Sequence, residues 1–185
     1  MDERLEQICA RARERFPERV SEPAEAFGEV SVEVAREGLV EVATWLRDEE
    51  EFALLADWSA VDHLDVEPDE RRFLCAAHLA SVSAPLRLRL RVFVPDGDET
   101  CPSLVGVWPA ADCQEREMFD FFGIRFEGHP DLRRIFMPEE WDGHPQRKDY
   151  PLGGTNVQYQ HGQFIPPPDR RGQGTTTTGY PGRIS

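Results

Sequence analysis

Between Leu86 and Val94 every second residue is apolar: Leu86, Leu88, Leu90, Val92 and Val94 fall on one side, and Arg87, Arg89 and Arg91 fall on the other. A period of two belongs to a β-strand with one buried face, and a strand of this kind cannot stand alone in water. Residues 71–82 read as its partner. Ser83-Ala84-Pro85 is short enough to join the two as an antiparallel hairpin. The apolar face of such a sheet needs a cover, and two segments carry helical spacing. Leu5, Ile8, Cys9, Ala12 and Phe16 share one face of a helix over Asp2–Phe16 that Pro17 stops, and Leu39, Val42, Ala43 and Leu46, with Trp45, share another. The second helix is expected to end at the acidic run Asp48–Glu51, where its dipole disfavours negative charge.

The remaining elements follow from breakers and alternation. Pro23 and Gly28 mark a loop, and Val30, Val32 and Val34 alternate with polar residues as a strand. Phe52–Trp58 reads as a strand, Ser59–Asp65 as a connecting loop, 95–102 as a further loop, and Leu104–Val107 as a short strand. The order implies an α+β fold, with helices packed on one side of a largely antiparallel sheet and an extended partner-wrapping C-terminal segment after it. The predicted boundaries are 1–111 for the α+β domain, 112–161 for a helix and an extended partner-binding segment, and 162–185 for a Pro/Gly/Thr-rich tail, disordered or ordered on a partner.

Residues 112–151 have a different character. Ten acidic and six basic residues are interleaved with large apolar ones, and Gly or Pro stands at most bends. Pro109 suits a first helical turn and Gly123 a left-handed C-terminal cap, so a short helix lies between them. Arg116 and Asp120, four apart, are placed to pair across one turn. Met118, Phe119, Phe121 and Phe122 surround the helix rather than stripe it, which requires packing on more than one side. Ile124-Arg125-Phe126 then alternates like a strand. Beyond it the prolines prevent a backbone ladder, so the polar groups of this segment are expected to be met by another protein.

Glu115-Arg116-Glu117, Asp120-Phe121-Phe122, Gly128-His129-Pro130-Asp131-Leu132-Arg133-Arg134-Ile135, Met137-Pro138, Gly143-His144-Pro145 and Arg147-Lys148-Asp149-Tyr150-Pro151 stand at fixed spacings over some forty residues. Together they resemble the signature of the complex I 30-kDa subunit family, with a departure at Cys113 and Gln114, where the family carries two aromatics. The resemblance implies a non-catalytic structural and assembly subunit in the peripheral arm of a proton-pumping NADH:quinone oxidoreductase, within the quinone module. It implies that this chain binds no cofactor, and that NADH, FMN, iron–sulfur clusters and quinone belong to the complex. It further implies contact with the large quinone-site subunit and neighbouring cluster-bearing subunits, and a peripheral position on the cytoplasmic face of the cell membrane. Glu115, Arg116, Glu117, Asp120, His129, Arg133, Arg134, Arg147 and Asp149 are then the expected interface residues. An equivalent subunit of a membrane-bound hydrogenase or ferredoxin-linked complex carries an overlapping signature.

Charge and composition bound the alternatives. The net charge is −14, and residues 1–70 alone hold 21 acidic and 7 basic side chains, a difference of −14. Such a surface repels nucleic acid and anionic lipid. No run approaches the roughly 20 apolar residues of a membrane span, so direct membrane insertion is not expected. The cysteines at 9, 75, 101 and 113 lack metal-site spacing and are expected to be buried reduced thiols. Glu115, Glu117 and Asp120 flank an arginine, as a salt-bridge network does. His129 and His144 each stand between Gly and Pro, where a ring nitrogen satisfies a backbone carbonyl; a stand-alone metal-dependent enzyme using both is the reading from another class.

Overall fold

A computed structural model describes residues 2–151 and the backbone of 157–158 and 164–165. Among the described residues three α-helices and nine strands follow one another: α1 (Glu3–Arg15), β1 (Ala24–Ala26), β2 (Glu29–Glu33), α2 (Leu39–Asp48), β3 (Leu54–Asp62), β4 (Phe73–Ala80), β5 (Arg87–Val94), β6 (Thr100–Pro102), α3 (Ala111–Phe122), β7 (Arg125–Glu127), β8 (Val157–Gln158) and β9 (Phe164–Ile165). The main sheet has the order β1-β2-β5-β4-β3. All of its pairings are antiparallel except β2 with β5, which run parallel.

The alternating run behaves as its pattern requires. Leu88, Leu90, Val92 and Val94 of β5 are buried beside Phe73, Cys75, Ala77 and Leu79 of β4. Val30 and Val32 of β2, Leu5, Ile8 and Ala12 of α1, and Leu39, Val42, Ala43 and Leu46 of α2 join the same core. The opposite face of β5 carries the arginines, and two of the three are matched to the neighbouring strand: Arg89 to Glu29 and Arg91 to Glu33. Asp2 caps α1 by accepting from the amides of Arg4 and Leu5. α2 ends at Asp48, as expected. The acidic run that follows is compensated by α1, with Arg4 on Glu51, Arg11 on Glu50 and Arg15 on Glu49.

Several boundaries differ from the sequence reading. Residues 24–26, assigned to a loop, form β1. β3 extends to Asp62, through part of the expected loop, because Ser59–Asp62 pair residue by residue with Phe73–Ala76. Leu104–Val107 is a turn, closed by bonds from the amides of Val107 and Trp108 to the Leu104 carbonyl. The strand of that region is β6, which pairs in parallel with β7. Cys9, Cys75 and Cys101 are buried free thiols, whereas Cys113 is exposed. The 162–185 tail lies outside the described residues, apart from the backbone of 164–165. No helix among the described residues is long and apolar enough to cross a membrane.

Candidate functional site

α3 begins after Pro109 and stops at Gly123, whose φ of 80° is the left-handed cap. A side chain at 123 would also meet the His144 ring at 2.7 Å, so glycine here lets the following segment fold back over the helix end. The buried face of α3 is unusual in holding two carboxylates, Glu115 and Asp120, both 0% exposed, beside Ala111, Met118 and Phe122.

Asp120 is the hub of a clasp. Its Oδ2 accepts the amides of Ile135 (3.1 Å), Phe136 (2.8 Å) and Met137 (2.8 Å), and its Oδ1 accepts from Arg134 Nη1 at 2.7 Å. Arg134 continues outward, donating through Nη2 to the carbonyls of Trp141 (3.0 Å) and Gly143 (2.9 Å). Arg116 donates to the carbonyls of Arg133 and Arg134. Arg116 and Asp120, expected to pair across one turn, each reach instead to the segment beyond the helix. The Phe121 and Phe136 rings stack with centroids 5.2 Å apart. Burial pushes the Asp120 carboxyl up, but the Met137, Phe136 and Ile135 amides and the Arg134 guanidinium outweigh it, and the group is held below the ordinary carboxylate range.

Glu115 sits in different surroundings. Ser103 Oγ and the Leu104 amide donate to it, each at 2.6 Å. Burial dominates here and raises its pKa, against the opposing pull of those two donors, His129 and Trp58. A group whose folded pKa is raised contributes stability fully below its unfolded value, and that contribution is lost as pH rises through the folded one. Glu115→Gln keeps the shape and can serve both partners, so we expect it to remove the loss that sets in as pH rises above the ordinary carboxylate range, and to change stability by no more than about 1 kcal/mol at acidic pH. Urea denaturation from pH 5 to 9 checks this.

The histidines bind backbone, as their flanks suggested. His129 Nδ1 accepts the Asp131 amide, which leaves Nε2 to donate to the Asp112 carbonyl (3.2 Å) and carboxylate (3.1 Å). His144 Nδ1 donates to the Asp120 carbonyl at 3.0 Å. Their partners are eight positions apart on one helix, about 12 Å along its axis, so one ion cannot reach both rings. Among the described residues no group of three or more His, Cys, Asp or Glu is placed to hold a metal.

A second cluster fixes the far end of the segment. Arg72, almost fully buried, is chelated by Asp62 (3.3 Å to each oxygen), Asp96 (2.7 Å) and Asp149 (2.8 Å). Arg147 reaches Glu99 (3.2 Å), Asp96 (3.3 Å) and Asp149 (3.5 Å), and the Lys148 amide donates to Asp62 at 2.8 Å. Both guanidinium groups lie about the Phe73 ring, at 4.9 and 5.0 Å from its centroid. Burial raises Asp62, but Arg72 and the Lys148 and Leu64 amides lower it more.

The segment's polar groups, expected to be met by another protein, are thus largely met within the chain. Of the predicted interface set, Glu115, Asp120, Arg134 and His129 face inward, Arg116, Arg147 and Asp149 are half-exposed or exposed members of the networks, and Glu117 and Arg133 are exposed. Pattern reading missed Ser103, which donates to Glu115, and Asp62 and Arg72, which centre the second cluster. What faces solvent is apolar as well as charged: Phe136 is 60% exposed, Ile135 36%, with Glu139 and Glu140 alongside.

Comparison with known proteins bears on this same stretch. The sequence pattern of the family described as respiratory-chain NADH dehydrogenase, 30 Kd subunit, matches residues 32–156. Similar proteins, each named as a subunit of NADH-quinone oxidoreductase, occur in Mycolicibacterium gilvum, 54% identical over 146 residues (77% of this chain, 63% of that protein), and in Acidothermus cellulolyticus, 47% identical over 162 residues (86% and 82%). The chain therefore spans somewhat under two thirds of the Mycolicibacterium relative. Among solved structures, a trypsin-resistant fragment of Nqo5 superposes with a TM-score of 0.61 at 32% identity, covering 70% of this chain and 99% of the fragment. A chain of an archaeal membrane-bound sulfane sulfur reductase, a respiratory membrane complex, superposes with a TM-score of 0.66 at 25% identity, covering 81% and 87%.

Proposed function

The chain belongs to the 30-kDa subunit family of respiratory-chain NADH dehydrogenases, and from that premise we propose that it is a non-catalytic structural subunit of the peripheral arm of an NADH-quinone oxidoreductase. Its proposed neighbours are the large quinone-site subunit and cluster-bearing subunits, which carry the NADH, FMN, cluster and quinone sites. It is held at the cytoplasmic face of the membrane through them.

One observation carries this reading. The clasp ties its ionic groups inward, to its own helix and backbone, and turns Phe136, Ile135 and a charged rim outward. A well-tied segment that presents aromatic surface within a polar rim is the anatomy of a protein interface. Glu115, Asp120, Arg134 and His129 set the shape of that surface from beneath, while Glu117 and Arg133 stand on it. Arg116, Arg147 and Asp149 secure its two ends. A second reading, the equivalent subunit of a complex with another electron donor, draws on the likeness to the sulfane sulfur reductase chain. The identity of 54% with an NADH-quinone oxidoreductase subunit favours the first.

Affinity purification of the full chain at native expression, read by mass spectrometry, tests both. NADH-input and quinone-site subunits are expected; hydrogenase-type subunits would select the second reading, and a chain with no companions would exclude both. The Arg133 side chain, 63% exposed, forms its ion pair with the equally exposed Asp131. The double substitution Arg133→Ala and Phe136→Ser breaks no buried ion pair but removes the Phe121–Phe136 stack, and is therefore expected to destabilise the isolated chain by about 1–2 kcal/mol, too little to unfold it. The same substitution should lower recovery of assembled complex about tenfold or more.

A further inference from the structure

Glu117 and Phe121 are four apart on α3 and so share one face of it. Phe121 stacks on Phe136, with the rings 5.2 Å apart and inclined by 10°. Glu139 and Glu140 follow Phe136 by three and four residues, where the Trp141 amide closes a turn onto the Pro138 carbonyl, and Asp142 comes next. The exposed Phe136 ring thus has carboxylates of both the helix and the turn for neighbours. All four are exposed, and among the described residues none of their side chains has a hydrogen bond or an ion pair. The cations beside them are already committed. Arg133 is paired with Asp131 and Arg134 with Asp120, and Arg116, turned onto the carbonyls of Arg133 and Arg134, offsets a single charge. The acidic run at 49–51 is the contrast, since each of its members meets an arginine of α1. Unpaired like charges gathered about one aromatic ring repel one another, and an approaching set of cations relieves them.

We propose that the surface covering the clasp is a patch of a neighbouring subunit in which Lys or Arg side chains surround an apolar socket for Phe136. The inference rests on the reading that the clasp is where this chain docks, and adds the chemistry of what docks there. Cations are what four unpaired carboxylates recognise, and the ring supplies the anchor. A second copy of this chain would set the same carboxylates against themselves, and nucleic acid or an anionic bilayer is repelled for the same reason. A basic partner also sets the kinetics of assembly: such a rim speeds encounter at low salt and loses that effect as salt screens it. Residues 152–185 of the chain itself, with Arg170, Arg171 and Arg183 against Asp169, are another bearer of positive charge, and crosslinking tells the two apart.

In the full chain at native expression, Glu139→Lys with Glu140→Lys is expected to lower recovery of assembled complex about tenfold or more, and Glu139→Gln with Glu140→Gln to lower it less and to make it vary less with salt. Neither side chain has a partner, so both variants should keep the melting temperature of the isolated chain. Glu18→Lys with Glu37→Lys makes the same change of net charge at exposed positions of the α+β domain and should leave recovery unaltered. A photo-reactive benzoyl-phenylalanine at position 136 should crosslink to one neighbouring subunit beside Lys or Arg, and converting that cation to Glu should restore recovery of the Glu139→Lys, Glu140→Lys chain. Undiminished recovery of that chain, or an equal loss from the Glu18 and Glu37 pair, would overturn this inference while leaving the proposed function standing. Crosslinks only to residues 152–185 or to a second copy would do the same. A native chain that joins no complex overturns both.

Discussion

Asp120→Ala is expected to destabilise the chain by about 3–5 kcal/mol and to open residues 128–151 while the main sheet stays folded. The magnitude is that of removing one partner from a buried, hydrogen-bonded ion pair. Four donors lose their acceptor together: the amides of Ile135, Phe136 and Met137 and the guanidinium of Arg134. Chemical denaturation measures the loss. Limited trypsin digestion locates it, because Arg133 and Arg134 should be cut well before sites in the sheet. Asp120→Asn keeps an acceptor oxygen but no charge, so it should fall between alanine and the native residue. The pH dependence has a definite sign. The folded pKa of Asp120 is lowered, so its contribution is present above the unfolded carboxylate value and disappears as pH falls through the folded one. The Asp120→Ala chain should therefore lose less stability on acidification than the native chain.

The second large effect is expected at Arg72→Met. Methionine fills the volume, but Asp62, itself buried, is left without a counter-charge, beside Asp96 and Asp149. A loss of about 3–5 kcal/mol at neutral pH follows from an uncompensated buried charge. Adding Asp62→Asn should recover part of it, since the uncompensated charge is gone and the amide oxygen keeps one of the two backbone donors, Leu64 or Lys148, which bind different carboxylate oxygens. Lowering the pH should shrink the gap between Arg72→Met and the native chain, because the carboxylates that repel one another become neutral. Equal denaturation midpoints at pH 7 would contradict the assignment of Arg72 as the centre of this cluster.

Elements whose stabilising contacts are local or periodic are legible in the sequence. α1, α2 and the β4–β5 hairpin declare themselves through spacing, and Gly123 through the cap chemistry of a helix end. β1 is not, because three short exposed residues carry no pattern; only their pairing with β2 makes them a strand. The turn at 104–107 reads as a strand since its apolar residues, Leu104 and Val107, are buried as core and not as a sheet face. For the clasp, the sequence points to the right stretch and suggests the wrong partners. Carboxylates on a helix read as a wet face, yet Glu115 and Asp120 are dry, satisfied by donors from 11 to 17 residues away on irregular backbone. The one hint is that Met118, Phe119, Phe121 and Phe122 leave Asp120 little wet surface on which to sit. Arg72 and Asp62 give no local sign at all, because the residues that complete their charge balance are Asp96 and Asp149.

The order in which the clasp is synthesised has a consequence for biogenesis. Asp120 leaves the ribosome 15 residues ahead of the first amide that will shield it. Until Met137 has emerged, that carboxylate lacks its full set of amide donors and its burial is uncompensated, so α3 is expected to reach its final packing only after the segment beyond it has been made. Completion of the clasp is thus timed by translation of residues 135–137, and a chain truncated before them is expected to leave the Phe121 ring without its partner Phe136.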